Sequence, residues 1–108
     1  MSIATQTFTP VSGTIIVSGA TDVKITNFPV LVANTEYSHA LTTGLKQLTI
    51  KNRDRSTTKI AFISGDSLLN YITIYPGAVF SVGDLTFSGK ILYFNCSVVS
   101  TLEIVELY

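Results

Sequence analysis

The stretch that decides the fold is "QLTIKNRDRSTTKIAFI", residues 47–63. Its first residues alternate, with Leu48 and Ile50 on one side of an extended chain and polar residues on the other. A period of two is typical of a strand that is buried on one face only. The turn at residues 52–54 follows, because Asn and Asp side chains bond their own backbone. A second strand over residues 59–63 then completes a predicted β-hairpin with a charged tip.

The rest of the chain repeats this pattern. Thr, Val, Ile, Tyr and Phe are abundant, clusters of Gly, Asn, Asp or Ser interrupt them every 8–12 residues or so, and no window has a helical period. Pro76-Gly77 favours a type II turn. We therefore predict an all-β fold, a single antiparallel β-sandwich that is jelly-roll-like, with about eight or nine short strands. Ten segments are candidates for these strands: 14–17, 23–26, 30–33, 37–41, 47–51, 59–63, 71–75, 79–82, 91–94 and 102–107.

Length and composition indicate one domain whose surface is partly covered by partners. The chain has 108 residues, of which 46% are hydrophobic and only 13% charged, whereas soluble domains average about 25% charged residues. Its apolar runs, such as 28–33 and 91–94, are far shorter than the roughly 18 residues of a membrane-spanning helix. The N-terminus does not resemble a signal peptide. We expect an obligate oligomer or assembly subunit, with an N-terminal arm over residues 1–12 and the sandwich over residues 13–108.

The basic residues of the opening stretch are Lys51, Arg53, Arg55 and Lys59. A formal net charge of zero argues against a general nucleic-acid binder, which needs surplus Lys and Arg for phosphate contacts. No aromatic residue interleaves the basic ones, so a stacking platform for single strands is missing. Two interpretations stay open: a hydrated hairpin tip, or a basic finger that docks on an acidic protein surface.

Residues for catalysis or metal binding are sparse. His39 is the only histidine, nothing in the sequence places a nucleophile beside it, and we expect it at a surface or an interface. Cys96 is the only cysteine, which excludes an intrachain disulfide. We expect it to be a small buried residue, in a protein that is synthesised in a reducing cytoplasm. Glu103 and Glu106 are three residues apart, so a strand directs them to opposite faces. We expect no catalysis, no metal and no cofactor.

Tyr71 and Tyr75 offer another interpretation. With Thr73 they fall on one face of the predicted strand 71–75, where two tyrosine rings could form a platform for a sugar. The competing interpretation is packing of these rings in the second sheet or at a subunit interface. No Trp is present to strengthen a carbohydrate site.

Three segments carry a resemblance to a known family: "NTEYSHALTTGLKQLTIKNRDRSTTKIAF", "YITIYPGAVFSV" and "GKILYFNCSVVSTLEIVEL". The order of elements in these segments resembles that of small β-sandwich virion proteins of tailed bacteriophages. It consists of a Glu-Tyr-Ser strand, a Gly-x-Lys turn, an Arg-bearing hairpin, a Pro-Gly turn, a Leu-Tyr-Phe strand and a Glu-Leu strand. The likeness is to the head-decoration or cement type, and it covers about two-thirds of the chain without the N-terminal arm.

The resemblance implies a non-enzymatic structural role on the virion. Proteins of this type form homo-oligomers, a trimer among the states allowed, that cap contacts between subunits of the major capsid protein. The expected location is the capsid surface after synthesis in the host cytoplasm, without nucleic-acid or membrane partners. A tail or neck position is the alternative location, because similar sandwiches occur there too. Of the candidate residues, Lys51, Arg53, Arg55, Lys59, Tyr71 and Tyr75 are the predicted partner contacts.

Overall fold

A computed structural model describes residues 21–83 and 90–108 of the chain. The predicted arm over residues 1–12 and the predicted strand over 14–17 lie outside these ranges. The described residues form eight strands and one short 3-10 helix, Asp66–Leu68. The strands are β1 (Val23–Val30), β2 (Tyr37–Ala40), β3 (Gln47–Asn52), β4 (Thr58–Ala61), β5 (Ile72–Ile74), β6 (Val79–Gly83), β7 (Ile91–Cys96) and β8 (Ser100–Leu107).

The strands form two four-stranded antiparallel sheets that pack face to face. The first sheet has the order β1-β8-β3-β6, and the second has the order β2-β7-β4-β5. Only β4 and β5 are consecutive strands of the same sheet, and every other connection crosses from one sheet to the other. The predicted all-β antiparallel sandwich is therefore confirmed, and this winding between two sheets is that of an eight-stranded jelly roll.

The predicted hairpin around the charged turn is wrong. β3 lies in the first sheet between β8 and β6, whereas β4 lies in the second sheet between β7 and β5. The segment 53–57 is therefore an arch that crosses the end of the sandwich. A short polar connection has the same turn residues in an arch as in a hairpin. Whether the connection is an arch or a hairpin depends on the pairing of β3 with β8, which is distant in sequence. No local sequence pattern indicates that pairing.

The prediction of two separate strands, 23–26 and 30–33, is also wrong, since β1 runs from Val23 through Pro29 to Val30 and residues 31–33 are not a strand. Asp22 and Tyr108 exchange two backbone hydrogen bonds, of 2.8 and 3.0 Å. In an antiparallel ladder every second residue of β1, counted from Asp22, forms backbone hydrogen bonds with β8. These are the even-numbered residues, so Pro29 is not among them. Because β1 is an edge strand, the missing N–H of Pro29 faces the open side and costs no ladder bond.

The core lies between the inner faces of the sheets. The alternation of β3 is confirmed, because Leu48 and Ile50 are fully buried while Lys51 is exposed. In β7 the inner residues Leu92 and Phe94 are fully buried, whereas Ile91 on the outer face is 37% exposed. The buried cluster consists of Val30, Leu41, Leu45, Leu48, Ile50, Ile60, Ile74, Leu92, Phe94, Cys96, Leu102 and Ile104. Cys96 is buried with a free thiol, as predicted.

A hydrogen-bonded pair joins the two sheets inside the sandwich. Glu106 of β8 shares the inner face with Leu102 and Ile104, and its side chain is fully buried. Its Oε1 lies 2.8 Å from Nε2 of His39 on β2, and its Oε2 accepts the Thr42 N–H at 2.6 Å. His39 faces inward with a side chain only 12% exposed, so the expectation of a surface or interface histidine is wrong.

Ionisation of Glu106 is favoured despite this environment. Burial alone raises the pKa of a carboxyl group, because the charged form loses its hydration. The hydrogen bonds from His39 and from the Thr42 backbone outweigh burial, and the pKa of Glu106 lies below its ordinary value. Since a carboxylate only accepts hydrogen bonds, Nε2 of His39 must carry the proton between them.

Candidate interaction surface

Four loops meet at one end of the sandwich. The end of β1 pairs with the start of β8, with Val30 opposite Ser100, and the start of β4 pairs with the ends of β5 and β7, with Thr58 opposite Ile74 and Cys96. The end of β3 likewise pairs with the start of β6. The loops that these ends bring together are 31–36, 53–57, 75–78 and 97–99, which we call the loop end.

A buried polar cluster holds the base of the loop end. The Asn52 amide nitrogen lies 2.8 Å from Ser56 Oγ, 3.1 Å from Ser100 Oγ and 3.2 Å from Thr58 Oγ1. The Asn52 side-chain oxygen accepts the Asp54 N–H at 2.8 Å. Asn52 is 3% exposed and continues the inner face of Leu48 and Ile50 on β3. It therefore ties the first sheet, the arch and the second sheet together.

Large apolar side chains stand out from the loop end. Leu31 and Val32 follow β1, Val98 and Val99 precede β8, and these two loops are neighbours because β1 and β8 pair. The backbone beneath them is anchored, since the Val32 N–H donates to the Tyr37 hydroxyl at 3.0 Å. The exposed fractions are Leu31 69%, Val32 55%, Tyr75 69%, Val98 49% and Val99 63%. Exposed apolar groups that are gathered on neighbouring loops in this way are typical of interaction surfaces.

The predicted basic stretch is split between two faces. Lys51 projects from the first sheet, with Glu103 as its neighbour on β8, whereas Lys59 lies on the outer face of the second sheet. Arg53 lies in the arch and its Nε is 3.0 Å from Glu103 Oε2. That ion pair is solvent-exposed enough to contribute less than about 1 kcal/mol. The basic finger foreseen in the sequence is therefore not a single cluster.

Arg55 differs from the other cations of the stretch. Its backbone is left-handed, with φ 58°. Its guanidinium lies against Gly77, close enough that a Cβ on that glycine would be 3.0 Å from a terminal nitrogen. Gly77 has φ 80°, and the Ala78 N–H donates to the Tyr75 carbonyl at 2.9 Å, as in the predicted type II turn. Arg55 thus bridges two loops of the loop end.

The two tyrosines of the proposed sugar platform lie apart. The strand between them is only Ile72–Ile74, with Tyr71 before it and Tyr75 after it in the loop end. Lys59 Nζ lies 4.6 Å from the centroid of the Tyr71 ring, a cation–π contact that covers one ring face. Among the ring contacts of the described residues, none joins Tyr71 to Tyr75.

A second, weaker candidate site lies on the outer side of the second sheet. A shallow groove of about 440 Å³ runs beside Tyr71, and Asp66 and Asn70 are among its polar lining residues. Around it Ile63, Leu68 and Leu69 are exposed.

Glu36 fixes the 3-10 helix that borders this groove. Its Oε1 accepts the Gly65 N–H at 2.8 Å, and its Oε2 accepts the Ser67 hydroxyl at 2.6 Å and the Ser67 N–H at 3.2 Å. Burial acts to raise the pKa of Glu36, but these hydrogen bonds outweigh it and hold the pKa below its ordinary value. The groove wall is therefore anchored by a charged group.

Sequence reasoning missed Asn52 and Glu106 as structural groups, although a signal for both was present. Each continues an inward-facing alternation, after Leu48 and Ile50 on β3 and after Leu102 and Ile104 on β8. A polar residue in register with core residues is the pattern of a buried polar contact. Glu36 gave no such signal, because the helix that it holds is distant in sequence.

Residues 21–83 and 90–108 contain no group of three His, Cys, Asp or Glu side chains that could hold a metal ion. In those ranges no helix has the length and apolar character needed to cross a membrane. Compared with known proteins, the sequence matches no protein-family model and no curated protein.

Proposed function

We propose that the protein is a non-enzymatic structural component of a phage virion, a capsid decoration or cement protein that oligomerises on the shell and stabilises it. The observation that supports this most is the apolar loop end, where exposed Leu, Val and Tyr side chains stand on a backbone anchored by hydrogen bonds to side chains. A fixed backbone lowers the entropy cost of docking. The jelly-roll architecture is compatible with this role, since viral capsid domains use it, although lectin domains do so as well.

The size of the apolar contact favours an oligomer. Complete burial of one such side chain contributes roughly 1.5–3 kcal/mol. The five apolar side chains of the loop end are each about half to two-thirds exposed, so together they provide roughly 5–9 kcal/mol. Association itself costs about 4–15 kcal/mol. One loop end alone therefore binds weakly, and several linked copies are needed to bind a lattice firmly.

Stabilisation of the shell would follow from mass action. A protein that binds the assembled lattice and not the free capsid subunit shifts the equilibrium towards the lattice. The major capsid protein or another virion protein is the proposed partner, and the capsid surface the proposed location. We propose no catalytic role, because the one histidine is bound to Glu106 inside the sandwich.

Light scattering after size exclusion, followed by co-sedimentation with purified capsids of the encoding phage, tests this function. We expect an oligomer that sediments with capsids and loses most binding in Val99→Asp. Ile63→Asp is the matched control, since Ile63 is 67% exposed and Val99 63% exposed, but Ile63 lies in the β4–β5 connection rather than in the loop end. A stable monomer that does not sediment with capsids contradicts the proposal.

The alternative function is a carbohydrate- or receptor-binding module of a tail or head fibre. It is favoured by the groove beside Tyr71 and by the free ring of Tyr75, which is 69% exposed. Glycan-array binding that is lost in Tyr71→Ala or Tyr75→Ala supports this alternative. Capsid co-sedimentation that survives both substitutions supports the virion role instead.

A further inference from the structure

The backbone of Arg55 is the first unusual feature of the arch. Positive φ angles are uncommon outside glycine, and only Asn and Asp tolerate them readily. In residues 21–83 and 90–108 the non-glycine residues with positive φ are Asn34 and Arg55. Asn34 is of the tolerant type, whereas Arg55 is not. Strained residues of this kind cluster at binding sites, where the surrounding structure holds them.

The side chain of Arg55 is held in place but chemically free. Three guanidinium atoms lie 3.0, 3.5 and 3.5 Å from the position of a Cβ on Gly77, so the group lies against that glycine. Arg53 donates to Glu103, but no side-chain acceptor for Arg55 is found in the described parts of the chain.

The surroundings of Arg55 select the kind of anion. The neighbouring Asp54 carboxylate accepts the Thr101 N–H at 2.7 Å, and Glu103 is paired with Arg53, so the local charge is nearly balanced. Tyr75, in the same turn as Gly77, adds an exposed apolar surface. A polyanion needs several free cations in a row. One free guanidinium beside apolar groups fits a single carboxylate with apolar neighbours.

We propose that Arg55 is a pre-positioned receptor for a carboxylate on a protein partner, an Asp or Glu flanked by apolar side chains. The inference deepens the docking role proposed for the loop end and rests on it. The planar fork of an arginine matches a carboxylate with two parallel N–H···O bonds, which a lysine does not reproduce.

NMR titration of the ¹⁵N-labelled full chain tests this chemistry. The probes are the blocked peptide acetyl-Leu-Glu-Leu-amide, its Gln counterpart, and a single-stranded DNA oligonucleotide. We expect a saturable shift of the Arg55 Nε–Hε and Gly77 amide signals with the Glu peptide, and affinity about tenfold weaker with the Gln peptide. In Arg55→Gln the preference for the Glu peptide disappears. Equal response to both peptides, or tighter binding of the oligonucleotide, overturns the proposal.

Thermal unfolding separates recognition from a structural role. Arg55→Gly relieves the left-handed backbone, so its unfolding midpoint is expected to equal or exceed that of the wild type. If Arg55→Gly and Arg55→Gln both lower the midpoint markedly, the contact with Gly77 is structural and the proposal fails. If Arg55→Gln binds capsids as well as the wild type, that result contradicts this inference alone. Wild type that binds the Glu peptide but no capsid contradicts the virion role alone.

Discussion

Replacing Glu106 with alanine is expected to destabilise the protein by about 3–5 kcal/mol, because two buried donors lose their carboxylate acceptor and each unsatisfied group costs about 1–3 kcal/mol. The carboxylate accepts two hydrogen bonds, from His39 Nε2 at 2.8 Å and from Thr42 N at 2.6 Å. Hydrogen bonds to a charged group are each worth about 1.5–3 kcal/mol. The net loss is smaller than the sum of these two hydrogen-bond energies, because the alanine variant avoids the cost of desolvating a carboxylate.

The matched control lies on the same strand. Glu103 is three residues from Glu106 and faces outward, where it pairs with Arg53. Because that pair is partly solvated, Glu103→Ala is expected to cost less than about 1 kcal/mol. Urea denaturation followed by circular dichroism measures both variants, and the slope m should stay constant. For a domain of this size a loss of 1 kcal/mol lowers Tm by about 4 °C or more.

A double-mutant cycle isolates the pair between the sheets. His39→Leu alone leaves the buried carboxylate with one donor, and Glu106→Leu alone leaves two donors without an acceptor. The double variant leaves only the Thr42 N–H unpaired, a cost of about 1–3 kcal/mol. A coupling energy of roughly 2 kcal/mol or more is expected. A Glu106→Ala loss no larger than that of Glu103→Ala, or additive single effects, refutes the inter-sheet bond.

Further predictions concern pH, the loop base and the arch. The lowered pKa of Glu106 means that the unfolded chain takes up protons first, so stability is complete above the ordinary carboxyl pKa and is lost as pH falls through the folded value. Urea midpoints between pH 7 and 3 should fall less steeply in Glu106→Gln. Asn52→Ala should lower the free energy of unfolding by about 2–4 kcal/mol in the same assay, because buried hydroxyl groups lose their hydrogen-bond partner. Asn70 is exposed, so Asn70→Ala should be nearly neutral. Gly77→Ala should lower Tm, since φ is 80° and the new Cβ meets the Arg55 guanidinium at 3.0 Å, while Gly83→Ala, with 4.0 Å to its nearest neighbour, is the tolerated control.

The alternation of side chains was enough to predict the fold class. In β3 and β8 the residues that alternate as apolar, such as Leu48 and Leu102, are those that the two sheets bury. Strand ends were less predictable where the pairing partner matters. Pro29 looks like a break in the sequence, but it is harmless on the open side of an edge strand. The partner of each strand depends on contacts between distant residues, which no short window contains.

The same limit applies to the candidate site. In a hairpin, Lys51, Arg53, Arg55 and Lys59 would share one tip and present a basic finger. In the arch, the pairing of β3 with β8 gives Arg53 a carboxylate, while the pairing of β4 with β5 places Lys59 over Tyr71. Within residues 21–83 and 90–108 the guanidinium of Arg55 has no side-chain acceptor, and it lies in the loop end, whose exposed apolar side chains show no periodicity in the sequence. If Arg55 binds a carboxylate as we propose, the topology replaces a general attraction for acidic surfaces by recognition of a single carboxylate at the loop end.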